Sequence, residues 1–209
     1  SSTSDRVGPA ATIQFTPHGP YDPATGRYGT GPVDVRVTLS EAAIVTPFLG
    51  ITPDGGVPLA IVLSASGALE YRGQFSIFPS TPAGTALLTF SSRDAAGNRG
   101  SQIVSGGSLL IDTEGPAVSQ LVVQPNEPIE NASTNPAVVT ARFVLNEAPA
   151  AGATPEFGWK LSGHTNTWTT MTSMVQITEA SWQGSFALPA DAGAPSELLQ
   201  FRFSAEDDL

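Results

Sequence analysis

Hydrophobic and polar residues alternate along most of this chain, which is the pattern of β-strands and not of helices. Alternation with a period of two places successive side chains on opposite faces of an extended strand. It predicts strands at 12–15, 33–39, 59–63, 75–78, 86–90 and 108–111 in the first half of the sequence. In the second half it predicts strands at 120–123, 138–145, 157–161, 174–177, 185–188 and 198–203. No window has the period of an amphipathic helix, so we expect an all-β protein.

Turn-forming residues separate these predicted strands. The clearest turns are Asp54-Gly55-Gly56, Pro82-Ala83-Gly84 and Ala96-Gly97-Asn98. Short strands at regular spacing, divided by Gly, Pro and Asx turns, favour an antiparallel β-sandwich.

The strand pattern occurs twice. The sequence VDVRVTLSEA at 33–42 returns as VTARFVLNEA at 139–148, YRGQF at 71–75 as WQGSF at 182–186, and FSSRD at 90–94 as FSAED at 203–207. A repeat of roughly 100 residues has the size of one domain. The sequence therefore predicts two tandem domains, at 1–111 and 112–209.

Three short motifs, two of which occur in both copies, resemble the bacterial immunoglobulin-like repeats of large surface and secreted proteins. They are Asp-x-x-Gly-Pro at 5–9 and 112–116, the strand ends Ser40-Glu41-Ala42 and Asn146-Glu147-Ala148, and the turn at 94–98. The resemblance implies two tandem immunoglobulin-like antiparallel β-sandwiches. It also implies an extracellular or cell-surface location in a bacterium.

The second copy has no counterpart of residues 97–111, which supply a turn and the last strand of the first copy. Asp207-Asp208-Leu209 aligns with Asp94-Ala95-Ala96. One explanation is that the second copy is a fragment. The other is that a strand donated by a partner completes it, because a sandwich without one strand exposes unpaired backbone groups.

Composition limits the classes of partner and chemistry. The net charge is −10, and such an acidic surface repels nucleic-acid phosphates, so we expect no nucleic-acid partner. No apolar run approaches the ~20 residues of a membrane-spanning helix, so we expect no membrane insertion by this segment. The absence of cysteine excludes disulfides, thiol catalysis and thiolate metal sites.

Carboxylates near the repeat junction are candidate metal ligands. Asp5, Asp112 and Glu114 lie where one copy passes into the next, and Glu41 and Asp94 are expected at one end of the first sandwich. Calcium binds through carboxylate and other oxygen ligands, so it is the candidate ion. The alternative for Asp94 is a structural one, in which its carboxylate stabilises the turn that follows it.

Aromatic residues beside a polar loop are candidate ligand-binding residues. Trp159 and Trp168 bracket a predicted hairpin tip that contains His164, and aromatic rings near polar groups can stack on sugars. The alternative is a cross-strand pair of the two tryptophans that stabilises the hairpin. Trp182 aligns with Tyr71, so we expect it to be a structural aromatic in the core of the sandwich or at its edge.

No catalytic motif is present. The sequence lacks a nucleophile elbow, a phosphate-binding loop and a dinucleotide fingerprint, and its two histidines occupy unmatched positions. We therefore expect non-catalytic structural or spacer repeats that contact the flanking domains of the same protein. Two alternatives are an adhesion module that binds a glycan or protein through its loops, and an accessory domain of a secreted enzyme.

Overall fold

The computed structural model describes residues 6–126, 128–164, 166–192 and 196–209. They divide into two compact units, the first reaching Glu114 and the second being Gly115–Asp208. Every regular element in the described part of the chain is a strand, which confirms the all-β prediction. No helix in that part is long and apolar enough to cross a membrane.

The described residues of the first unit form twelve strands. In chain order they are β1 Ala11–Pro17, β2 Tyr21–Asp22, β3 Arg27–Tyr28, β4 Gly31–Leu39, β5 Phe48–Thr52, β6 Leu59–Ile61, β7 Ser64–Ala65, β8 Glu70–Ile77, β9 Gly84–Arg93, β10 Arg99–Gly100, β11 Ile103–Ser105 and β12 Ser108–Ile111.

These strands form two sheets that share one core. The first sheet has the order β11-β1-β4-β8-β7, and the second has the order β2-β3-β12-β9-β5-β6, with β10 also paired to β9. Inward residues of both sheets, such as Val35 and Val37 of β4 and Leu49 and Phe90 of β5 and β9, belong to a single buried cluster. The purely antiparallel prediction needs a correction, because β1 pairs with β11 and β12 pairs with β3 in parallel.

Residues 97–111, here called the closing segment, complete both sheets of the first unit. The segment leaves β9 through a turn, forms β10, then runs parallel to β1 as β11 and antiparallel to β9 as β12. A segment that contributes one strand to each sheet closes the open side between them. Leu109 and Ile111 of β12 are buried in the shared core as a result.

The described residues of the second unit form seven strands in two sheets. The strands are β13 Val118–Gln124, β14 Val138–Leu145, β15 Glu156–Leu161, β16 Thr169–Thr170, β17 Val175–Thr178, β18 Ser181–Ala187 and β19 Leu199–Ser204. One sheet has the order β13-β14-β18-β17 and the other has the order β16-β15-β19. Within the described residues, β19 pairs with β15 alone, and no strand stands where β12 stands in the first unit.

An aromatic core fills the second unit. Phe143 of β14 packs against Phe157 of β15 at 4.7 Å between ring centroids, and Trp182 of β18 lies 6.0 Å from Phe157. Trp182 and Tyr71 are both buried, so the prediction that Trp182 belongs to the core is confirmed.

The alternation pattern missed β5, a strand in the interior of its sheet between β6 and β9. Leu49, Gly50 and Ile51 are consecutively buried, so the strand shows no alternation of apolar and polar residues. Gly50 is covered by the ring of Phe48, which lies 3.2 Å from where a Cβ would stand. A strand buried on both faces cannot be recognised by a period of two.

Candidate functional site

The two predicted ligand-binding tryptophans lie on opposite faces of the β15–β16 pair. Trp159 aligns with Thr169 in the register, so Trp168, one residue before β16, comes beside Lys160. Trp159 is buried and stacks on Phe186 at 4.3 Å between ring centroids. Trp159 is therefore a core residue, and the two rings do not form the expected cross-strand pair, because successive side chains on a strand alternate between its faces.

Trp168 lies between two cations on the outward face of the sheet. The Nζ atom of Lys160 is 4.8 Å from the centroid of the indole ring, and Cζ of Arg202 is 5.5 Å from it. Both distances are within the range of cation–π attraction. Lys160, Trp168 and Arg202 are called the cation–indole cluster below.

Gly158 creates the space for Arg202 in this cluster. The two residues are register partners on β15 and β19, and a Cβ at position 158 would lie 2.8 Å from Nε of Arg202. Any larger residue would push the guanidinium away from its place over the sheet. Lys160 and Arg202 were not predicted as site residues, because the strand pairing that joins them to Trp168 leaves no pattern in the sequence.

His164 connects two loops of the second unit through carboxylates. Its Nδ1 is 2.8 Å from Oε1 of Glu197, which is nearly buried, and its Nε2 is 3.1 Å from Oδ1 of Asp191, which is exposed. The hydrogen bond to Glu197, followed by that to Asp191, raises the pKa of His164 above its usual value. The imidazolium can donate from both nitrogens, so the charged form suits this position.

A cavity of about 510 Å³ adjoins this histidine cluster. Its walls are mostly apolar and include Ile129, Leu161 and Leu188, while Glu197 contributes a carboxylate that is already hydrogen-bonded to His164. The described lining residues therefore offer apolar contact and one charged group, the carboxylate that His164 already engages.

On the outward face of β1, β4 and β8 in the first unit, basic and acidic side chains pair with one another. His18 Nε2 lies 2.6 Å from Asp34 Oδ2, and this hydrogen bond lowers the pKa of the Asp34 carboxyl. Arg36 and Arg72 donate from Nε to the two carboxylate oxygens of Glu70, at 2.7 and 3.0 Å. Each of the two cationic guanidinium groups has a carboxylate partner within the face.

Asp94 has the structural role proposed as the alternative to metal binding. Its carboxylate accepts hydrogen bonds from the backbone N–H and the Nδ2 of Asn98, both at 2.8 Å. Gly97 in the same turn has a φ of 89°, which favours glycine. Burial raises the pKa of Asp94, but hydrogen bonds from Asn98 and the turn amides outweigh it, so the pKa lies below the ordinary value.

The remaining metal candidates do not gather into a site. Asp112 forms an ion pair with Arg27 at 2.7 Å, Glu41 follows β4 and is partly buried, and Glu114 is exposed. Asp5 lies outside the described residues. No group of three or more His, Asp or Glu residues in the described part of the chain could hold a metal ion, so calcium binding stays a prediction.

Asp112 and Thr113 bond to the first unit, although the repeat pattern predicted that the second domain begins at Asp112. The Oγ1 of Thr113 donates to the carbonyl of Thr81 at 2.7 Å, and Arg27 holds Asp112. The first unit accordingly reaches Glu114.

Comparisons with known proteins identify no family. No protein-family model matches the chain, and no curated protein sequence is significantly similar to it. One solved structure that matches is a tetra-tandem repeat in the extending region of a large adhesion protein, with 13% identity over 96% of this chain and 50% of that chain, at a TM-score of 0.36. Another is a DUF4785 family protein from Legionella pneumophila, with 7% identity over 93% of this chain and 47% of that chain, at a TM-score of 0.34. This chain spans about half the length of each, and at these scores neither match carries an argument about fold or function.

Proposed function

We propose that each unit is an immunoglobulin-like β-sandwich and that the pair acts as non-catalytic structural repeats of a bacterial extracellular or cell-surface protein. The order of the strands supports this proposal. In the first unit the order β1-β4-β8-β7 faces a sheet that contains β12-β9-β5, which matches the ABED and CFG sheets of that fold. In the second unit β13-β14-β18-β17 faces β15-β19, the same order without the last strand.

The bacterial and extracellular parts of the proposal rest on the three short motifs that resemble bacterial surface repeats. The structural role rests on a different observation, the parallel pairing of β1 with β11 in the first unit. Ala11 of β1 donates its backbone N–H to the carbonyl of Gln102 at 2.9 Å, and Thr12 is the register partner of Ser105. The first strand of the unit therefore lies beside its closing segment.

Parallel pairing of the first strand with the closing segment is suited to mechanical load. A pull on both ends of the first unit draws β1 and the closing segment in opposite directions along their strand axes, so the hydrogen bonds between β1 and β11 are sheared. These bonds are then loaded together, whereas an antiparallel hairpin opens one bond at a time. In the second unit, β13 has only the antiparallel β14 as a partner among the described strands.

Single-molecule pulling of the whole chain tests the load-bearing role. We expect two unfolding events, with the first unit unfolding at the higher force. Ala11→Pro removes the N–H that donates to Gln102, so it should lower the force of that event and leave the second unit unchanged. The second unit is thus an internal control in each molecule. Equal forces for the two units in the wild-type chain would refute the load-bearing role.

A further inference from the structure

The cation–indole cluster is the one place in the second unit where positive charges gather. The unit contains three Lys or Arg residues, Arg142, Lys160 and Arg202, and ten Asp or Glu residues. Two of the three bases lie within 5.5 Å of the centroid of one indole ring. In a unit so rich in acids, this concentration of cations needs a physical explanation.

Neither cation of the cluster is neutralised by a carboxylate in the described part of the chain. Among the described residues, the ion pairs of the second unit involve His164, and those of the first unit engage His18, Arg27, Arg36 and Arg72. Lys160 and Arg202 have the indole as their partner. An attraction of this kind leaves the positive charge available to an anion, because the indole ring carries no net charge.

The same sheet face carries two uncharged polar side chains beside the cluster and the exposed carboxylate of Glu156, which forms no ion pair with either cation. Gln200 is the register partner of Lys160, and Thr170 is the register partner of Gly158. Both side chains are exposed. An amide and a hydroxyl that both donate and accept hydrogen bonds suit a ligand with many hydroxyl groups.

We propose that the cation–indole cluster binds an anionic saccharide, one whose sugar ring carries a carboxylate or a sulfate. The guanidinium of Arg202 can receive the acid group bidentately, Lys160 adds a second point charge, and the indole of Trp168 offers a flat apolar surface to the C–H groups of the sugar ring. This ligand goes beyond the structural role and does not depend on it. The net charge of −10 disfavours a nucleic acid, which carries a phosphate on every nucleotide, whereas a saccharide can place a single acid group on the cluster.

Binding can be measured by tryptophan fluorescence, because all three tryptophans lie in the second unit, and by titration calorimetry for the variants that replace Trp168. The probes are hyaluronate oligosaccharides with carboxylates, heparin oligosaccharides with sulfates, and neutral dextran oligosaccharides of matched length. We expect saturable binding of at least one anionic probe that weakens as salt is raised, and no saturable binding of dextran. The two anionic probes distinguish a carboxylate ligand from a sulfate ligand.

Five variants assign the binding to the cluster. Trp168→Ala removes the stacking surface and Arg202→Gln removes a charge-assisted hydrogen bond, so each should weaken binding by about tenfold. Lys160→Gln should weaken binding less than either. Arg142→Gln is the matched control, because it removes the same charge from an exposed position on the other sheet. It should leave affinity unchanged, and Trp168→Phe should retain part of the affinity.

Three results would overturn the proposal. These are a dextran affinity equal to that of the anionic probes, a loss with Arg142→Gln as large as that with Arg202→Gln, and no binding of any probe. The second result would show unspecific attraction to positive charge. Thermal unfolding of each variant separates lost binding from lost folding, because Trp168 and both cations lie outside the core cluster.

Discussion

The two units of this chain share a strand order but differ in how well their cores are covered. Ile13 of β1 pairs with Val37 and is 3% exposed, whereas Leu121 of β13, which pairs with the equivalent Phe143, is 40% exposed. On the opposite sheet, the inward residues of β9 are buried, and those of β19 are only partly buried. β13 and β19 correspond to β1 and β9, the two strands that the closing segment covers in the first unit.

This difference teaches that a short segment can control the burial of both sheets. The closing segment adds β11 beside β1 and β12 beside β9, so its two strands cover one edge of each sheet. The described residues of the second unit hold no such segment, and both corresponding strands are more exposed. The larger aromatic residues of the second core do not remove this exposure.

Supplying the second unit with a closing segment should produce the largest effect. A chain extended after Leu209 by a copy of residues 97–111 should gain about 3 kcal/mol or more in the stability of the second unit, because two aliphatic side chains become buried. Because all three tryptophans lie in the second unit, tryptophan fluorescence during urea unfolding reports the stability of that unit. The control is the same extension with Asp in place of the two copied residues equivalent to Leu109 and Ile111. Equal stability of the two extended chains would show that the appended strand does not dock.

Weakening the closing segment of the first unit should have a smaller effect in the opposite direction. Leu109→Ala should lower the free energy of unfolding of the first unit by about 2–4 kcal/mol, because it leaves a cavity in the core. Leu110→Ala is the neighbouring control, and we expect a loss below about 1 kcal/mol because Leu110 is 38% exposed. All three tyrosines lie in the first unit, so tyrosine fluorescence follows it. Similar losses for the two variants would contradict the account of β12 as a covering strand.

The pH dependence of the two units should differ through His164, with the smallest effect of the three. The folded-state pKa of His164 is raised by Glu197 and Asp191, so its contribution to stability is fully present below the unfolded pKa of about 6.5. This contribution is lost as the pH rises through the folded pKa. The urea midpoint of the second unit should therefore fall between slightly acidic and alkaline pH.

His164→Gln is the variant that isolates this effect. It should flatten the pH dependence of the second unit over that range, because the neutral amide does not titrate. The first unit in the same molecule, followed by tyrosine fluorescence, is the reference. A midpoint that falls equally in the wild type and the variant would assign the pH dependence to other groups.

Local sequence patterns predicted some of the strands but not how the strands pair. Alternation predicted β1, β4, β9 and β14 well, since each has one face in the core and one in solvent. Alternation did not predict β5, because that strand is buried at three consecutive positions. It also did not predict that β11 and β12 have parallel partners, because the choice of a pairing partner leaves no local pattern in the sequence. The turn at Asp94 was predicted because its chemistry is contained in five adjacent residues.

The candidate site shows the same division. Sequence analysis selected Trp168 and His164 from their place beside a polar loop, but Lys160, Arg202, Glu197 and Asp191 join them only through strand pairing and loop contacts. It also selected Trp159, which faces the core because it is one residue out of phase with Lys160. The sequence by itself determined the all-β class, the repeat and the local turns, because these depend on neighbouring residues. Only the tertiary structure decided which face each tryptophan occupies, which charges meet and which strands are covered, because these depend on register between segments far apart in the chain.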